Sequence, residues 1–197
     1  MRSVVAMPGA AIFSRAAAAG VLLLWLHVLT PNPTLGRTLV VGQGRPFQSV
    51  SQAIAAAQAG DVIEIETGLY QGNLLLNRRV SLIGIGHPVI RGQGGESVIT
   101  VTADNCSVRG LVVEHSGTLL ATEDSGILLK SNRNRVEDNE LRDILFGIYL
   151  YHANDNLISN NRITGRPYLD LGGRGSGIHI WNSERNTLTG NVITQVR

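Results

Sequence analysis

"GIYLYHANDNLISNNRI" runs from Gly147 to Ile163, and the chain returns to the same phrase at Gly177 to Ile193 as "GIHIWNSERNTLTGNVI". Both open on Gly-Ile and close on an Asn two residues before an Ile, while most letters between them change. A third line, "GILLKSNRNRVEDNEL" from Gly126, aligns on the same Gly-Ile. Asn139 and Asn161 stand 22 residues apart, and Asn161 and Asn191 stand 30 apart, the longer interval holding an insert, "GRPYLDLGGR", at Gly165 to Arg174. An earlier, degenerate copy is "CSVRGLVV" at Cys106 to Val113, followed by a second insert, "EHSGTLLATED", at Glu114 to Asp124.

A repeat of roughly 20 to 25 residues built from short alternating segments indicates a solenoid, because one unit cannot bury its apolar edge alone and neighbours must stack. Leucine-rich repeats share the period, but their dense leucine pattern is absent here. The expected fold is therefore all-β, a single-stranded parallel β-helix in which equivalent residues of successive coils lie about 4.8 Å apart. Ile127/Ile148/Ile178, Leu129/Leu150/Ile180 and Val136/Ile158/Leu188 are expected to be inward ladders, and Asn139/Asn161/Asn191 a structural asparagine ladder at a turn.

Before the repeats the pattern differs. After "TLVV" at Thr38 to Val41, the spacing of Phe47, Val50, Ile54 and Ala57 predicts a helix over Pro46 to Ala59, stopped by Gly60. Such a helix would plug the first coil, whose open edge would otherwise invite aggregation. The expected organisation is thus a strand and capping helix over 37–60, then β-helix coils over 61–197. The chain stops at "NVITQVR", directly after a repeat line, and the coils are expected to continue in a longer protein.

Residues 1–36 carry Arg2 and Arg15, no acid, and an apolar run from Ala16 to Leu29 followed by "TPNPTLG". This is the order of a secretory signal peptide, with cleavage expected between Thr30 and Gly36, and the run is short for a membrane span. Of the 17 basic and 15 acidic residues, the leader holds two bases, so the remainder is balanced. No cluster of Lys and Arg with interleaved aromatics suggests nucleic acid as a partner. One cysteine, Cys106, allows no internal disulfide, so packing must hold the exported chain.

Inward ladders leave the alternate positions outward. Two columns follow, Leu128/Tyr149/His179 and Lys130/Tyr151/Trp181, and so many aromatics on adjacent outward sites point to a binding surface. Both inserts fall just before a Gly-Ile strand and are expected to wall a cleft over this floor. They bring Asp124 on one side and Asp170 and Arg174 on the other, with Asp143 beneath. His115, His152 and His179 are the imidazoles that could carry function here, and the only thiol is Cys106.

The leader, the opening "PFQSVSQAIAAAQAGDVIEIETGLY", and the order of "LLLNRRVSLIGIG", "GLVVEHSG" and "GIYLYHANDN" together resemble the N-terminal portion of the NosD family. That resemblance implies a right-handed parallel β-helix in the periplasm. It implies an accessory role in assembling the copper centre of nitrous oxide reductase, with an ABC-type transporter and a copper-carrying lipoprotein as partners. Membrane association would then come only through those partners. Copper is a possible cargo; the resemblance assigns no ligand to it, and since imidazole and thiolate suit Cu(I), His115, His152 and His179 are the candidate metal ligands. A different class stays open from the residues alone: a carbohydrate-binding or polysaccharide-cleaving β-helix, with the aromatic floor stacking sugar rings and Asp143, Asp124, Asp170, His179 and Arg174 supplying polar groups.

Overall fold

The computed structural model describes residues 36–197; the expected signal peptide lies outside them. The chain winds into coils that each lay one short strand on up to three parallel sheets, of seven, six and five strands. One full coil comprises Ser125–Leu129, Arg135–Glu137 and Glu140–Arg142. The next comprises Phe146–Tyr151, Leu157–Ser159 and Arg162–Thr164, and the last Ile178–Trp181, Thr187–Thr189 and Val192–Thr194. Every pairing is parallel between consecutive coils, so the fold is a parallel β-helix.

The register stacks like on like. Ile127, Ile148 and Ile178 are direct partners, as are Leu129, Leu150 and Ile180, and Val136, Ile158 and Leu188. A further ladder, Tyr70, Ile90, Val113, Leu141, Ile163 and Ile193, completes the third wall. These side chains fill the lumen, and Ile63, Leu82, Ile127, Leu141 and Ile148 are wholly buried. In the final coil the same ladders come to the surface: Ile180 is 45% exposed and Leu188 and Ile193 each 41%.

The helix α1 (Val50–Ala56) closes the other end and is shorter than its apolar spacing suggests. Ser49 caps it, its hydroxyl accepting the Gln52 N–H, and Val50, Ala53 and Ile54 turn inward over the strands Thr38–Val41, Val62–Ile65 and Leu74–Leu76. Pro46 stays outside because its neighbour Phe47 bridges to Val41 and accepts the Gly42 N–H. At the far end Ala57 is already extended, and the Asp61 carboxylate takes the Gln58 and Arg37 N–H groups. That carboxylate offers Gln58 N–H a partner that another turn of helix would have to replace.

The turns are held by amide ladders. Asn161 Oδ1 accepts the Asn139 N–H and one Asn139 Nδ2 hydrogen, while its own Nδ2 donates to Val136 O and Asn191 Oδ1. A second ladder, Asn134, Asn156 and Asn186, repeats this pattern at another corner, with Cys106 N–H bound by Asn134 Oδ1. A third runs with the opposite sense from Asp104 through Asn132 and Asn154, each side-chain oxygen accepting the N–H one coil further on. Buried amides satisfied in this way pin both register and corner geometry.

Candidate functional site

On the sheet that carries the Gly-Ile strands, Leu128, Tyr149 and His179 stand in register, and Tyr151 pairs with Trp181. The two columns differ in access. Tyr151 and Trp181 are 38% and 52% exposed, and Lys130 Nζ lies 5.8 Å from the Tyr151 ring centroid. Tyr149, expected to be open, is only 4% exposed, and Leu128 is buried with it. Although both point away from the lumen, Tyr149 packs among Phe146, Tyr151 and His179, with the His179 centroid 4.9 Å away. Burial, and then the hydrogen bond with Glu123, push the Tyr149 phenol above its ordinary range.

The first insert contributes Glu123, a left-handed residue (φ 53°) that ends the short 3-10 turn Leu120–Thr122. One carboxylate oxygen lies 3.9 Å from His179 Nε2. Asp124 is buried and spent within its own loop, accepting the Leu119 N–H at 3.0 Å and the Thr122 hydroxyl at 2.8 Å. In the second insert Asp170 accepts the Gly173 N–H at 3.0 Å and so caps the turn Leu171–Gly173. Arg174 donates to the carbonyls of Leu169 and Pro167. Asp124, Asp170 and Arg174 are thus each hydrogen-bonded within their own loops.

A separate polar cluster lies at the corner reached by the third sheet. Asp143 accepts from His115 Nδ1 at 2.9 Å, from Tyr168 Oη at 2.7 Å and from Arg166 Nε at 3.0 Å. Arg166 is 3% exposed and also donates to the carbonyls of Ser116, Gly117 and Asp143 itself. Burial alone would raise the Asp143 carboxyl, but the hydrogen bonds from Tyr168, His115 and Arg166 outweigh it and hold the group below its ordinary value. An ionised carboxylate can only accept, so His115 carries its proton on Nδ1, toward Asp143.

Beside it, Glu114 receives Arg91 Nε on one oxygen at 2.7 Å and Arg142 Nε on the other at 2.8 Å. Its burial, which favours the neutral acid, is again overcome by the two guanidiniums, and the carboxyl is lowered. Arg91, Glu114, His115 and Asp143 line a depression of about 230 Å³. Arg166 was missed by sequence reading: it sits in an insert outside the repeat, 23 residues from its carboxylate partner. Arg91 and Arg142 were missed too, although their alternation along the third-sheet strands marks them as outward.

The three candidate histidines do not converge. His179 packs edge-on against Tyr149, His152 meets Tyr151 edge-on with ring centroids 4.5 Å apart, and His115 belongs to the Asp143 corner. Among the described residues no three His, Cys, Asp or Glu side chains are grouped as a metal would require. The Cys106 thiol is buried, contacts Arg78 O, and is pushed upward by that burial, which disfavours the thiolate that binds metal. These coils thus lack the donor set of a resident copper centre. No helix among the described residues is long and apolar enough to cross a membrane.

Comparison with known proteins places these features. A family model described as "Periplasmic copper-binding protein (NosD)" matches residues 69–196. A Pseudomonas aeruginosa protein named "Probable ABC transporter binding protein NosD" is 26% identical over 135 residues, which cover 68% of this chain and 32% of that protein. A protein of the same name from Stutzerimonas stutzeri is 26% identical over 119 residues, 59% of this chain and 27% of the relative. The chain therefore spans about a third of the length of the curated relatives it matches. Among solved structures an alginate lyase from Paenibacillus superposes with a TM-score of 0.65 at 21% identity, covering 81% of this chain and 59% of the lyase. This last likeness is one of fold. The family match, by contrast, takes in most of the coils and the repeat lines that build them, and the chain belongs to the NosD family.

Proposed function

We propose that this chain is the N-terminal part of an exported accessory protein for assembly of the nitrous oxide reductase copper centre, acting as a docking scaffold beside an ABC-type transporter. The observation that carries the reading is family membership across residues 69–196. Its corollaries are a cleaved leader within residues 1–36 and a periplasmic location. Copper is the cargo, carried to the site by a copper-bearing lipoprotein and passed toward the reductase.

The exposed strip of Lys130, Tyr151, His152 and Trp181 suits docking. Tyr151 packs edge-on against the buried Tyr149, and rigid aromatic anchors on a well-packed floor dominate protein interfaces. Of the groups the saccharide reading named, Asp143, Asp124, Asp170, His179 and Arg174, the side chains of Asp124, Asp170 and Arg174 bond within their own loops. Co-purification tests the proposal: the full-length protein should retain the transporter from detergent-solubilised membranes, and the pair Tyr151→Ala, Trp181→Ala should lose it while remaining folded. Equal retention by the variant would remove the strip from the interface. Absence of the transporter from the wild-type sample would remove the scaffold role.

A further inference from the structure

The outward face of the Gly-Ile sheet carries a cation that nothing on the chain matches. Lys130, Tyr151 and Trp181 follow one another over three coils, all three exposed, with Tyr151 and Trp181 as direct register partners. The acids at the adjoining corner are already matched, Asp104 by Arg133, and Asp155 and Glu184 by Arg185. Glu123 lies on the neighbouring column, beside His179. Lys130 Nζ sits 5.8 Å from the Tyr151 ring centroid and, among the described residues, forms no ion pair. The strip therefore complements an apolar surface that bears an anion at one end.

The spacing limits what can lie there. Successive coils stand about 4.8 Å apart, so two steps separate Lys130 from Trp181 by about 10 Å along the axis. Backbone N–H and C=O groups lie in the plane of a sheet, and those of Ser125–Leu129 and Phe146–Tyr151 are paired with strands on both sides. A segment crossing this face thus gains no ladder bonds and must keep its own backbone solvated. A polyproline II segment does so, and with three residues per turn and about 3.1 Å per residue it presents every third side chain to the same side, about 9 Å on. A flat β-strand repeats its face after about 7 Å, which falls short of the strip. Aromatic rings such as Tyr151 and Trp181 are the usual seat of proline-rich segments.

We propose that the strip binds an extended, proline-containing segment of the partner in which a carboxylate stands three residues from an apolar side chain. The carboxylate meets Lys130, and the prolines and the apolar side chain lie on Tyr151 and Trp181. This deepens the docking reading of the strip, on which it rests, by naming the partner's chemistry.

Lys130 is the one lysine among the 17 basic residues, so reductive ¹³C-methylation labels it alone beside the α-amine and keeps its charge. The probe is a capped hexapeptide, glycine-glutamate-proline-proline-leucine-glycine, titrated into the labelled chain at low ionic strength. The Lys130 methyl signal should shift along a saturable curve. Replacing the peptide's glutamate by glutamine, which leaves the protein untouched, should weaken binding about two- to fivefold, and high salt should close that gap. Trp181→Ala should weaken binding about fivefold or more, with the amide spectrum reporting that the coils stay folded. Equal affinity for the glutamate and glutamine peptides, tighter binding of a peptide with lysine in that place, unchanged affinity in Trp181→Ala, or no shift with any peptide would overturn the proposal. So would tighter binding of an oligomer of uronic acid residues, which would make the strip a site for acidic glycans. The docking reading fails separately, if the full-length protein retains no transporter while the peptide still binds.

Discussion

Replacing Asn161 by Ala tests whether the amide ladder or the apolar ladder limits stability at the turns. Asn161 is 1% exposed and makes four hydrogen bonds through its carboxamide, two as acceptor to Asn139 and two as donor to Val136 O and Asn191 Oδ1. At about 1 kcal/mol net per bond the loss is about 4 kcal/mol, and the buried Asn139 N–H, left without its acceptor, keeps the estimate from falling lower. Asn191 occupies the same position one coil on, makes the corresponding bonds to Asn161 and Ile158, and is only partly buried. Water can replace its bonds, so Asn191→Ala should cost only about 1 kcal/mol. Urea unfolding followed by far-UV circular dichroism, with slopes compared to verify that both variants unfold as one unit, gives the difference. Equal costs at the two positions, or a loss below about 1 kcal/mol at Asn161, would refute the claim that buried amides pin the corners.

Further outcomes follow from the same geometry. Ile148→Asp should abolish folding because it puts a charge into the lumen, whereas Trp181→Ala should shift stability by no more than about 0.5 kcal/mol; similar thermal melts for the two would contradict the inward and outward assignment. The Arg37 side-chain bond and then the Gln58 N–H hold the Asp61 carboxyl down from 3.8 to about 2. Because the folded value is the lower one, this contribution is complete above about pH 5 and disappears as pH falls from about 4 to 2. The gap between wild type and Asp61→Asn in urea midpoint should therefore be constant from neutral pH to about pH 5 and close below it, and a gap that widens on acidification would reverse the sign. Arg166→Ala should strip hydrogen-exchange protection from Gly117 and Leu119 while leaving Ile148 protected, since it releases the first insert without touching the lumen. Uniform loss along the chain would make Arg166 a general stabiliser instead.

The apolar ladders were legible because stacking forces like residues to recur: Gly-Ile at 126, 147 and 177 aligns three coils directly. The Asn139 ladder was legible for the same reason, and the Asn134/Asn156/Asn186 ladder could have been read from the N-x-N spacing at 132–134 and 154–156. The helix is shorter than its alanines favour because Asp61 takes the Gln58 N–H, and Asp61 is itself held by Arg37 from 24 residues away. The inserts were the least readable. Alternation puts Tyr149 outside the lumen, but nothing in its spacing tells that neighbouring aromatics and Glu123 bury it. The His115–Asp143 pair is 28 residues apart across an irregular insert, so no fixed period brings the two together on paper. Residues that define a coil repeat and can be counted, whereas those that decorate it depend on loops whose path only packing decides.

The most direct test of the account is the copper content of nitrous oxide reductase purified from cells lacking this protein and complemented with its full-length form or with the Tyr151→Ala, Trp181→Ala pair. The account expects copper-depleted reductase in the deletion, restoration by the wild-type protein, and little restoration by the folded variant. Fully copper-loaded reductase in the deletion would contradict the proposed role outright.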